Sequence, residues 1–422
     1  MEQIRKLCVK KLRSAANYAL TFIRWTMLAA FTGAIGGFVG SLFHISVEYA
    51  TQMRLKNSLL ILFLPLGGLA IVGLYKICRV EQSVGTNQVI DAIRTENKPP
   101  LLLAPLIFVS TVITHLLGGS AGREGAALQL GGSIGSLVGR IFKLDEKDMH
   151  LIVMCGMSSV FSALFGTPLT AVLFAMEVIS VGLLYYSAAV PCIAASITAF
   201  GISKLFGITP LRFNIGNVPD FGIDSIWRVA LLAIGCALLS ILFCAAMRYS
   251  HKLFAKLIKN EFLRAAIGGI AIIILTFLLG TYDYNGAGMN VIEKAIGGQA
   301  NTFAFLLKIL FTAITIGTGF KGGEIVPTMF IGATFGCVFG GLLGLPPGFG
   351  AAVGLVALFC GVVNCPTASV FLSVELFGTT GLLLFAIACA VSYMLSGYYG
   401  LYSSQKIVYS KLKAEYININ AK

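Results

Sequence analysis

Apolar stretches long enough to cross a lipid bilayer recur along nearly the whole chain, from residue 19 to residue 399. Examples are 100–118, 151–174, 226–247 and 380–395. A hydrocarbon layer roughly 30 Å thick is matched by about 20 helical residues. Inside lipid every backbone N–H and C=O must be satisfied within the protein, which leaves only helices and closed barrels. The dyad alternation of barrel strands is missing here. Only 12% of the 422 residues are charged, against about 25% in soluble domains, and 57% are hydrophobic. Mean hydropathy is +0.87. The expected fold class is an all-α polytopic membrane protein.

A net charge of +13 invites a nucleic-acid partner, but the basic residues gather at the ends of apolar runs. Arg5, Lys6, Lys10, Lys11 and Arg13 precede the first run, and Lys406, Lys411, Lys413 and Lys422 follow the last. Arg248, Lys252, Lys256, Lys259 and Arg264 fill a break between runs. This is the positive-inside pattern with attraction to lipid headgroups, and it assigns both termini to the cytoplasm. No nucleic-acid partner is expected. The ten cysteines, such as Cys155, Cys236, Cys360 and Cys389, lie scattered in apolar stretches without paired spacing and read as small buried hydrophobes. His44, His115, His150 and His251 form no ligand pattern, so neither a metal nor a cofactor is expected. The N-terminus lacks a cleavable signal pattern, because the run broken by Arg24 continues into a full span. The short stretch after the last span leads to the expectation of no soluble regulatory domain.

The least hydrophobic long stretch, "GITPLRFNIGNVPDFGIDS" at 207–225, reads as a loop and divides the chain near its middle. Either side of it the same markers recur. Gly131, Gly135 and Gly139 stand four apart in the first part, and Gly332, Gly336 and Gly340 stand four apart in the second, offset by 201 residues. Pro168 precedes Glu177 by nine residues, as Pro366 precedes Glu375, at an offset of 198. Such pairs argue for an internal repeat, a construction in which transporters place substrate between the halves. The expected organisation is a basic cytoplasmic N-terminus (1–18), a first membrane half (19–206), the loop (207–225), a second half (226–405) and a cytoplasmic C-terminal segment (406–422). The glycine series let helices approach closely. "GTGFKG" at 317–322 matches a dinucleotide fingerprint by letter only, since it follows a helix-length apolar run rather than a strand.

Four acids stand in apolar or glycine-rich surroundings: Glu124, Glu177, Glu324 and Glu375. An ionisable residue within a membrane is a functional hypothesis by default. Glu177 and Glu375 end apolar helices, where the competing reading is a paired or capping acid. Glu124 and Glu324 instead sit in the breaks "GREG" and "KGGE", each opening directly into a helix. Helix N-termini present unpaired N–H groups and a positive dipole end, so two such breaks can build an anion site from backbone. Neutral donors let the anion leave again. Glu124 would be the protein's own anion at that site. Burial and the helix terminus act on its proton in opposite senses. A carboxylate that swings out on protonation exchanges an anion for a proton. Arg123 reads as structural, paired or facing water.

These residues resemble the CLC family of chloride channels and anion/proton antiporters over nearly the whole membrane region. The resemblance rests on "GREG" with Glu124, on "GGEIVP" at 322–327, on "GLYSS" with Tyr402, and on "VGTNQVIDAIR" at 84–94, where the family has its first anion-binding loop. It implies two inverted-repeat halves of tilted and broken helices and a homodimer with a pathway in each subunit. It also implies Glu124 as the gate, with the Tyr402 hydroxyl and the N–H groups around Ile325 and Val326 on the anion. The candidate anion-binding set is Thr86, Asn87, Gly122, Arg123, Gly125, Ile325, Val326 and Tyr402. Glu124 and Glu324 are the candidates for gating and proton coupling.

Departures from the chloride-selective pattern are specific. Gly85 is followed by Thr86, Asn87, Gln88 and Val89 rather than a serine loop; Ala126 replaces a common proline; Val178 stands where proton-coupled chloride members carry an internal glutamate. With Glu324 in the second break, the chain looks most like the bacterial fluoride/proton antiporter branch. That resemblance implies a bacterial inner-membrane protein that is not an enzyme and expels fluoride in exchange for protons. Thr86 and Asn87 both remain open as the residue that faces the ion, and Glu324 is either a coupling acid or a capping or loop-fixing acid. The alternative is a chloride exchanger or channel on the same scaffold. An intramembrane enzyme using Glu124 and Glu177 lacks any accompanying nucleophile or metal-ligand motif.

Overall fold

The computed structural model describes residues 2–81, 85–95 and 100–422. Val84, which opens the first-loop stretch, and the side chain of Arg5 lie outside the described residues. The described chain contains sixteen α-helices that fall into two series of eight. The first is α1 (Glu2–Lys56), α2 (Leu64–Ile77), α3 (Thr86–Ala92), α4 (Leu103–Leu116), α5 (Glu124–Ile141), α6 (Glu146–Phe165), α7 (Pro168–Glu177) and α8 (Ala189–Leu205). The second is α9 (Ile223–Leu257), α10 (Glu261–Leu279), α11 (Met289–Ile296), α12 (Ala304–Gly317), α13 (Ile325–Leu342), α14 (Pro347–Val363), α15 (Pro366–Phe377) and α16 (Leu382–Leu395). Among the described residues, seven helical stretches are long and apolar enough to cross a membrane, and shorter apolar helices such as α4, α7 and α12 accompany them.

Local chemistry sets these boundaries. Asp145 opens α6 by accepting the Asp148 N–H at 2.8 Å, and Gly166 closes it in the left-handed region at φ 69°. Asn260 caps α10 in the same way, and Gly280 ends it at φ 63°. Pro168 and Pro366 begin α7 and α15, where a missing N–H leaves nothing unsatisfied.

The two series are copies. The helices α12, α13 and α14 each start 201 residues after α4, α5 and α6. Gly122 and Gly323 have the same separation and pair with each other as an antiparallel bridge. The Gly122 N–H donates to the Gly323 carbonyl at 2.6 Å, and the Gly323 N–H returns the bond at 2.7 Å. A residue bonded to its own counterpart lies on the axis relating the copies. Glu177 and Glu375 behave likewise. Glu177 accepts the N–H groups of Thr367 (3.2 Å) and Ala368 (2.9 Å) at the start of α15. Glu375 accepts those of Leu169 and Thr170 (2.9 Å each) at the start of α7. Two helices that each cap the other's N-terminus run antiparallel, so the halves are inverted. Both acids are caps.

The glycine series fulfil their packing reading. A Cβ on Gly135 would collide with the backbone of Ile152 on α6, and one on Gly336 with Gly350 on α14. Backbone-to-backbone contact of this kind makes α5–α6 and α13–α14 the buried centre, while α1, α2, α8 and α10 turn large apolar side chains outward. The helix α1 runs unbroken from Glu2, so the basic N-terminal stretch is its extension. Likewise α9 begins at Ile223, three residues inside the loop read as 207–225. The C-terminal segment adds a feature that the helical reading did not contain. Strands β2 (Lys406–Tyr409) and β3 (Tyr416–Asn420) pair antiparallel, and β2 pairs in parallel with β1 (Ser180–Val181) beside the end of α7.

Candidate functional site

The glycine bridge brings the starts of α5 and α13 together. Neither helix has a side-chain cap at its N-terminus: Arg123 and Glu324 occupy the cap positions without closing a cap hydrogen bond. The first-turn N–H groups of both helices therefore stay available around one buried point. Glu324 thus occupies the cap position of α13 without capping it.

Glu124, the first residue of α5, is 2% exposed and fills that point with its own carboxylate. One oxygen accepts the Arg123 N–H at 2.9 Å. The other lies 3.6 Å from Nε of Arg123, whose side chain is thus paired. The backbone N–H of Val326, on the facing helix, is directed at the same carboxylate. Ile325 and Val326 are buried, and a Cβ on Gly122 would stand 2.7 Å from Oε2 of Glu124. Only glycine leaves that oxygen room.

A cavity of about 320 Å³ opens on one side of this point. Thr86, Asn87, Gln129, Glu324 and Tyr402 are among its walls. Tyr402 is 2% exposed, and its hydroxyl has no hydrogen-bond partner among the described residues. Such a buried donor is costly unless something accepts from it. The hydroxyl of Thr86 donates to the carbonyl of Gly125 at 3.3 Å and receives Nε2 of Gln129 at 3.1 Å. Its proton is engaged by the protein. Asn87 has its Oδ1 on the Ser404 N–H at 3.1 Å, which leaves its amide N–H₂ as the end offered to the cavity. Glu324 reaches across the bridge, with Oε2 3.1 Å from where a Cβ on Gly125 would be.

The predicted residues thus form two adjoining groups. Gly122, Arg123, Glu124, Gly125, Ile325 and Val326 make the bridge and helix starts, and Thr86, Asn87, Glu324 and Tyr402 line the cavity. Thr86 ties one group to the other through Gly125. Glu177 and Glu375 stand apart as reciprocal caps. Gln129 escaped the sequence reading, although an amide amid Ala, Leu and Gly on α5 was its signal. Also missed was the basic wall of the cavity, formed by Arg248, His251, Lys252 and Lys321. The first three belong to the basic break that had been read only as a lipid-facing end.

Inverted halves of broken helices, meeting at uncapped N-termini around a buried acid, define an ion-transporting membrane protein. The family model described as voltage gated chloride channel matches residues 67–397, and the chain belongs to that family. A chloride/fluoride channel protein of Pseudomonas syringae pv. tomato is 36% identical over 398 residues, covering 92% of this chain and 87% of the relative. An H(+)/Cl(−) exchange transporter of Vibrio vulnificus is 26% identical, covering 90% of this chain and 89% of its own. Among solved structures, that of a CLC-type fluoride/proton antiporter superposes with a TM-score of 0.88 at 32% identity, over 91% of this chain and 98% of that one.

Proposed function

We propose that the protein exchanges fluoride for protons and exports fluoride, with Glu124 as the protonatable gate. The observation that carries this reading is the Glu124 carboxylate lying against the Val326 N–H, where two uncapped helix N-termini meet. An ionised carboxylate and a permeant anion compete for those donors. Protonation removes the charge that holds Glu124 there, the side chain leaves, and an anion takes its place. When the anion departs, the proton is released and the carboxylate returns. One group competing for one site ties the two fluxes together.

Fluoride is small and strongly hydrated, so its site must replace many hydrogen bonds. Backbone N–H groups of Ile325 and Val326, the Tyr402 hydroxyl and the Asn87 amide supply neutral donors. Gly122 and Gly125 keep the approach open, and Arg123 holds the resting carboxylate. Glu324, at the cavity wall, accepts and passes protons on the cavity side. The Pseudomonas relative's description and the fluoride/proton antiporter's structure support the choice of ion. The basic wall supports a cytoplasmic cavity, with both termini cytoplasmic in a bacterial inner membrane. Lipid surrounds the outward apolar faces, and the protein works as a homodimer with one pathway per subunit.

A second reading, chloride exchange, draws on the Vibrio relative. Purified protein in liposomes loaded with fluoride or chloride, read with external anion and pH electrodes together, decides between them. Fluoride efflux with proportional proton uptake and little chloride efflux is the expected result. Chloride flux equal to or above that of fluoride would return the protein to the second reading, and anion flux without protons would make it a channel.

A further inference from the structure

Every polar group of Ser404 is taken up by α3 and the turn that follows it. Its N–H donates to Oδ1 of Asn87 at 3.1 Å, and its hydroxyl donates to Oδ2 of Asp91 at 2.7 Å. Its carbonyl receives Nη2 of Arg94, the same nitrogen that pairs with Oδ1 of Asp91 at 2.9 Å. Asn87 and Asp91 stand four residues apart on one face of α3, and Arg94 lies in the turn after it, its N–H on the Asp91 carbonyl at 2.9 Å. Ser404 is buried and does not line the cavity, whereas Tyr402, two residues earlier, does. At its other end α3 is fixed to α5 by Thr86, through Gly125 and Gln129. The short helix is therefore a strut between the helix that carries Glu124 and the loop that carries Tyr402.

We propose that Asp91, Arg94 and Ser404 are positioning residues that set the separation of the Asn87 amide and the Tyr402 hydroxyl across the ion pathway, and through it the preference for a small anion. The inference rests on the proposed anion site. Asn87 is the joint: its Oδ1 is held by the clasp, so the orientation of its amide is fixed by Ser404. Donor strength falls steeply with distance and angle. An ion that gives up the tightest hydration shell loses most when donors move apart, and a larger ion loses less. Loosening the clasp therefore lowers fluoride preference by admitting chloride. A clasp that merely stabilised the fold would depress both fluxes alike.

The test uses the full chain in liposomes, with fluoride and chloride efflux measured side by side for the parent, Asp91→Ala, Ser404→Ala and Ser404→Thr. Asp91→Ala removes two of the bonds, and Ser404→Ala removes only the hydroxyl bond, so a folded variant is secured. The expected result is a chloride-to-fluoride flux ratio raised about tenfold in Asp91→Ala and less in Ser404→Ala. Ser404→Thr, which keeps the hydroxyl, retains the parent ratio. An unchanged ratio in both alanine variants, or a proportional fall in both fluxes, overturns the proposal. A parent that moves no fluoride overturns the proposed function instead. A selective parent with equally selective variants sinks the clasp alone.

Discussion

In the proposed exchange, Glu124 and Tyr402 divide the work of the site between a charge that comes and goes and a donor that stays. Glutamine at position 124 keeps the shape of the side chain and cannot titrate. We expect Glu124→Gln to lose proton uptake during anion efflux and to show a flat pH profile, where the parent is faster on the acidic side because protonation frees the site. Paired electrodes on the same vesicles check this; coupled proton movement persisting in the variant would remove Glu124 from the mechanism. Tyr402→Phe removes one hydroxyl that has no partner among the described residues. A hydrogen bond to a charged group contributes about 1.5–3 kcal/mol, so fluoride affinity should weaken roughly tenfold to a hundredfold by calorimetry. Glu124 was legible from its own surroundings, an acid among glycines, whereas Tyr402 was legible only through the family resemblance of "GLYSS". The division of labour between Thr86 and Asn87 was not. It depends on the Gly125 carbonyl and the Ser404 N–H, which lie 39 and 317 residues away.

Among the helices, α7 and α15 show how far periodicity carries and where it stops. The equal Pro-to-Glu spacing identified the two as copies, yet the acids' role depended on how copies pack. Each carboxylate caps a helix from the opposite half, a contact no local pattern encodes. Losing such a cap costs about 1–2 kcal/mol. Glu375→Ala should therefore lower the thermal midpoint in detergent while fluoride binding by the folded fraction is retained. Glu177 is the more buried of the two, so Glu177→Ala should cost at least as much. A loss of fluoride affinity at full stability in either variant would instead place these acids on the ion's route. The strand pairing of β1 with β2 was illegible for the same reason: two residues beside α7 meet a partner more than two hundred positions on.

Over the whole molecule, the excess of positive charge has two destinations rather than one. The sequence reading gave all of it to lipid headgroups and orientation. Arg248 and Lys252, on the last turns of α9, instead join Lys321 around the cavity that Glu324 and Tyr402 also line. A cleft whose walls carry an excess of one sign of charge focuses the field and concentrates counter-ions, raising encounter rates by about tenfold or more at low ionic strength. Salt shortens the reach of those charges to about 10 Å at 0.1 M. The cations are therefore expected to act on how often an anion arrives, not on how it is held at the helix starts. Arg248 gives one N–H to the Ala421 carbonyl, so replacing it also disturbs the C-terminal segment, and Lys252 is the cleaner choice. Lys252→Gln should slow fluoride efflux severalfold when ionic strength is low on the cavity side, with proton coupling per fluoride unchanged. Raising the salt with an impermeant anion should erase the difference from the parent. A deficit that survives high salt would mean that Lys252 binds the ion directly, and the cavity would then be a second site rather than an approach.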